Sequence, residues 1–126
     1  EEWEYAAKAN TKTTYFFGDN SKFMTNYAWY SFNSQGTSQP VGRKLPNPWG
    51  LYDIYGNLFE RVAPFPAQYY IGKGYRLAGV ASNRLIAGLC SGSFKSTLVH
   101  CQPIIPIKDF VKRRNEIGFR VLRTLD

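Results

Sequence analysis

Few side chains in this sequence could do redox or metal chemistry: two cysteines, Cys90 and Cys101, and one histidine, His100. A thiolate pair can hold a soft metal ion or close a disulfide. The spacing of these two matches no zinc-ligand pattern, and a single histidine cannot complete a histidine-rich site. Pairing with each other and burial as separate thiols both remain open. The other candidates are Asp53 and Glu60, the sole charged residues in the apolar stretch Leu45–Glu60, which reads LPNPWGLYDIYGNLFE. Two carboxylates could share a hard cation with backbone carbonyls. Equally, Asp53 could cap a turn and Glu60 could pair with a nearby base. No EF-hand spacing accompanies them.

The basic residues form a third group. Sixteen Lys and Arg against nine Asp and Glu give a net charge of +7. Lys108, Lys112, Arg113, Arg114, Arg120 and Arg123 concentrate late in the chain. Such a patch attracts anions through its field, yet most charge clusters are solvated faces that keep a domain soluble. No recognition helix, zinc pattern or aromatic RNA-binding motif accompanies it, so nucleic acid is not the expected partner.

These groups need a scaffold, and composition says what kind. At 126 residues the chain fits one domain, and 44% apolar content is enough to bury a core. Nine Tyr, nine Phe and three Trp bury large areas per residue, which lets a chain with little regular structure pack tightly. Eleven Gly and seven Pro favour turns over long helices. No apolar run approaches a membrane span, and no signal-peptide pattern stands at the start.

Along the chain, residues 1–9 read as the end of an amphipathic helix, with Trp3, Ala6 and Ala7 on one side. No capping residue or initiator Met precedes that helix, so the chain is expected to be a fragment with domain residues upstream. Pro46, Pro48 and Gly50 punctuate the next landmark, and Gly56-Asn57 supplies a second turn. So apolar a loop is expected to be buried from Leu45 to Glu60, its backbone groups finding partners inside, an ion among the options. Short strands are expected at Tyr75–Ala78, Leu85–Leu89 and Phe119–Leu122, with extended or edge structure over Thr97–Ile107 because of Pro103 and Pro106.

Read in order, several blocks resemble the C-terminal part of the formylglycine-generating enzyme family, the sulfatase-modifying-factor domain. They are Glu2-Trp3-Glu4-Tyr5-Ala6-Ala7, Phe17-Gly18-Asp19, Tyr27-Ala28, Pro40-Val41-Gly42, Pro46 to Glu60, Ser91-Gly92-Ser93-Phe94 and Asn115-Glu116-Ile117-Gly118-Phe119-Arg120-Val121. The resemblance implies an α+β fold of C-type-lectin-like kind, with few helices, short strands and long ordered loops. It also implies one domain over residues 1–126, lacking its N-terminal part. The family includes oxidases that convert a sulfatase cysteine to formylglycine, domains fused to other enzymes, and hypervariable binding proteins. Fold alone does not choose among them.

The oxidases hold copper(I) between two cysteines, and those positions fall here on Ser96 and Cys101. A serine hydroxyl is hard and weakly acidic and cannot replace a thiolate on copper(I). Cys90 lies before the turn and does not restore the pair. Copper is therefore not expected, and Cys101 would be the catalytic residue only if the chain were a divergent oxidase. Two further departures agree: Arg61 follows Glu60 where an aromatic is usual, and Pro103-Ile104-Ile105-Pro106-Ile107 replaces an Arg-rich stretch. The family's Gly-Leu-Tyr-acidic loop binds calcium, which carries over to the Asp53 and Glu60 side chains and the Gly56 and Leu58 carbonyls. That ion would be structural. The expectation is a non-catalytic binding or accessory module, fused to other domains. Its contact face for a protein or small ligand would be the loop before the final strand, with Lys95, His100, Gln102, Lys108, Lys112, Arg113 and Arg114.

Overall fold

The computed structural model describes residues 2–72, 81, 83–98, 105–106 and 114–121. Helix α1 spans Glu2–Lys8, with Glu2 and Glu4 in its first turn and Lys8 in its last, the arrangement the helix dipole favours. It stops where Ala9 and Asn10 turn left-handed, with φ of 46° and 67°. The Lys8 ammonium then holds the carbonyls of Thr13 and Thr14, fastening the following loop to the helix end. A 3-10 turn (Ser21–Phe23) runs into the short helix α2 (Met24–Tyr27) and strand β1 (Ala28–Trp29).

The main core is built from rings on loops. Tyr15, Phe16, Met24, Ala28, Tyr30, Ile54 and Tyr55 are buried together against Ala7 of α1. Phe17 stacks on Tyr27 with centroids 4.5 Å apart, and Phe16 stacks on Tyr55 at 5.4 Å. Each such pair adds about 0.5–1.5 kcal/mol beyond the area it buries, so rings here substitute for long helices. Strand β2 (Tyr55–Gly56) pairs in parallel with β1, placing Trp29 opposite Gly56. That pairing threads the Asp53–Glu60 segment through the core.

Burial of the apolar stretch begins later than expected. Leu45 is 55% exposed, Trp49 42% and Tyr52 44%, whereas Asp53 to Asn57 are all buried. The exposed half is held by one polar residue. Asn47 donates from Nδ2 to the Ala6 carbonyl at 2.7 Å and accepts at Oδ1 from the amides of Trp49 and Leu51, each at 3.0 Å. Bonds within the loop, the Asn47–Ala6 bond to α1 and an edge-on contact of Trp49 with Tyr5 at 5.0 Å hold it in place.

Strand β3 (Phe59–Pro66) had no sequence expectation, and it carries the second sheet. It leads into α3 (Ala67–Gly72) and pairs antiparallel with β4 (Leu85–Cys90), with Glu60 opposite Cys90 and an irregularity between Val62 and Phe65. The expected strand at Leu85–Leu89 is thus present, one residue longer. Strand β5 (Ile105–Pro106) lies at the edge, beside β4, where a proline costs no ladder bond. After a 3-10 turn (Arg114–Glu116), β6 (Ile117–Gly118) pairs in parallel with β3 and forms the other edge.

The last strand is a correction. Pairing ends at Gly118, and Phe119, expected inside a strand, lies beyond it at 81% exposure. Registration on Phe59 and Glu60 draws Ile117 and Gly118 into the sheet, and Phe119 is left outside. The expected strand Tyr75–Ala78 lies outside the described residues. Among those described, no helix is long and apolar enough to cross a membrane.

Candidate functional site

Two places bear on function, and both sit where loops meet the β3 strand. The first is a cavity of about 330 Å³ whose lining includes Asp53, Gly56, Leu58, Glu60, Gly118 and Arg120. All four residues expected to hold an ion therefore border the same cavity. Asp53 sits at a left-handed φ of 54° and is 8% exposed. Its Oδ2 accepts from the Gly42 amide at 2.7 Å. Its Oδ1 is buried and has no hydrogen-bond partner among the described residues. An orphaned buried carboxylate oxygen is costly, and a bound cation would satisfy it. The Gly56 carbonyl accepts from the Ser91 hydroxyl at 3.0 Å, which leaves a second lone pair for an ion.

The Glu60 carboxylate, expected among the ion's ligands, is engaged by protein donors. Arg120 grips both carboxylate oxygens, with Nη2 at 2.7 Å from Oε1 and Nε at 3.1 Å from Oε1 and 3.0 Å from Oε2. The Trp3 indole donates to Oε2 at 2.6 Å. Two-pronged guanidinium bonding plus an indole donor uses the acceptor capacity that a cation would need. The reading in which Glu60 pairs with a base is thus the one the geometry favours. Arg120 Nη2 also donates to the Tyr52 carbonyl at 2.8 Å, tying the segment after β6 to the loop. Among the carboxylate oxygens lining the cavity, Asp53 Oδ1 is the one open to a cation, while those of Glu60 are taken up by Arg120 and Trp3.

The second place is the turn that follows β4. Ser91 and Gly92 both have left-handed φ, 86° and 82°, and reverse the chain sharply. The Phe94 amide donates to the Asn57 carbonyl at 2.7 Å, and the Ser34 hydroxyl donates to the Phe94 carbonyl at 2.6 Å, so the turn is pinned into the core. Ser96 is buried at 4% exposure. Its Oγ accepts from the Ser93 amide at 2.9 Å and lies 3.3 Å from the Ser93 hydroxyl, which donates to Glu116 at 2.5 Å. Lys95, above them on the surface, approaches Glu116 at 3.5 Å. The position expected to correspond to a copper thiolate is thus part of a closed serine–glutamate network.

Of the expected contact residues, Lys95 is exposed, and the backbone of Arg114 opens the 3-10 turn before β6. His100, Cys101, Gln102, Lys108, Lys112 and Arg113 lie outside the described residues. Cys90 is buried at the end of β4, packed with Ala67. Among the described residues no group of three or more His, Cys, Asp or Glu side chains gathers as a metal cluster. Sequence reasoning missed Trp3, Ser93, Glu116 and Arg120 as partners. Each lies inside a quoted family block, but nothing local pairs residues 57 or 60 positions apart.

A family model for the sulfatase-modifying factor enzyme 1-like domain matches residues 1–125. The chain belongs to that family. The sulfatase-modifying-factor domain described here is 38% identical over 71 residues to a formylglycine-generating enzyme of Mycobacterium tuberculosis, covering 47% of this chain and 23% of that enzyme. It is 30% identical over 76 residues to a chaperone protein LppX of Paenibacillus barcinonensis, covering 47% of this chain and 27% of that protein. The domain thus spans about a quarter of the length of the curated relatives it matches. Among solved structures, Treponema denticola variable protein 1 superposes with a TM-score of 0.73 at 29% identity, covering 94% of this chain and 43% of that one. CarF superposes at 0.58 and 24% identity, covering 99% of this chain and 46% of that one, and this likeness concerns the fold alone. The fold is α+β and C-type-lectin-like, with few helices and short strands.

Proposed function

We propose that this domain is a non-catalytic binding or accessory module, stabilised by calcium and part of a larger protein. The observation that carries the reading is Ser96. The oxidase chemistry of the family needs two thiolates on copper(I), and this position offers a buried hydroxyl already committed to the Ser93 amide. Asp53 supports the calcium component, through the orphaned Oδ1 in a cavity shared with Gly56 and Leu58. Relatives of which the chain spans only a fraction support placing it within a larger protein. Its ligand, a protein or a small molecule, would meet the Lys95–Arg114 face, where Lys95 is an exposed cation.

A second reading is favoured by the 38% identity to a formylglycine-generating enzyme. In it the domain is a divergent copper-dependent oxidase acting on a protein cysteine, with Cys101 as its thiol. Aerobic incubation with a copper salt, a reductant and a cysteine-bearing peptide separates the two. Mass spectrometry is expected to show the peptide thiol unconverted to formylglycine. Turnover that depends on Cys101 would overturn the proposal.

A further inference from the structure

We draw no further inference here: the strongest candidate, the apolar groove between α1 and β3 lined by Trp3, Ala6, Val62, Phe65 and Val121, carries none because nothing in the structure shows what covers it.

Discussion

Replacing Glu60 with alanine is expected to cost about 3–5 kcal/mol of folding stability, the range for breaking a buried ion pair by removing one partner. The cost has three sources. Arg120 keeps its charge in a partly buried wall but loses both carboxylate oxygens. Trp3 loses the acceptor of its indole N–H, which holds α1 against β3. A void also opens where β3 meets β4 and β6, since Glu60 lies opposite both Cys90 and Gly118. A domain of this size is stable by roughly 5–15 kcal/mol in total, so one substitution removes a large share. Urea denaturation should show a lower midpoint with an unchanged slope. Because the groups touch, Arg120→Met combined with Glu60→Ala should cost less than the sum of the two single changes. A loss under about 1 kcal/mol for Glu60→Ala would mean that the pair behaves as an exposed one.

Gly56→Ala is expected to be comparably damaging, for a reason of backbone geometry. A Cβ built on Gly56 would stand 2.1 Å from the Trp29 carbonyl oxygen and 2.9 Å from its carbon, inside any permitted contact. The obstacle is main chain and cannot rotate away. Gly56 also has φ of +73°, which costs a residue with a side chain about 1–2 kcal/mol. Forcing β1 and β2 apart adds roughly 1–3 kcal/mol of overpacking. The Asn57 amide, which donates to that same Trp29 carbonyl, would be disturbed as well. Thermal melting followed by circular dichroism checks this, and a midpoint within a degree or two of wild type contradicts it.

These two residues also show what sequence could and could not reveal. Gly56 was legible as a turn, because Gly-Asn after an apolar run permits positive φ, and both Gly56 and Asn57 adopt it. Its contact with Trp29 was not legible, since parallel pairing of β1 with β2 joins distant segments. Glu60 was legible as a charge in apolar surroundings. Its partner Arg120 lies 60 residues away, and only the closing of β6 onto β3 brings them together. The eight-residue β3 escaped notice because Arg61, Pro64 and Pro66 break the alternation that marks a strand. Leu45 and Trp49 misled in the opposite direction. Their apolar character suggested burial, whereas Asn47 holds that loop at the surface through hydrogen bonds within the loop and to α1. That residue 96 is a serine was readable as residue type, and its correspondence to a copper thiolate is what the family resemblance implies. What the fold added is how firmly Ser93 and Glu116 bind that turn.

The central claim is that position 96 has lost the chemistry of a copper oxidase, and competition for copper(I) measures this most directly. The reduced protein, titrated anaerobically against a bathocuproine-type chelator, is expected to yield its copper to the chelator, since a hydroxyl at Ser96 cannot act as the second soft ligand. Retention of one equivalent of copper(I) against the chelator, abolished by Cys101→Ser, would contradict the account and return the domain to the oxidases.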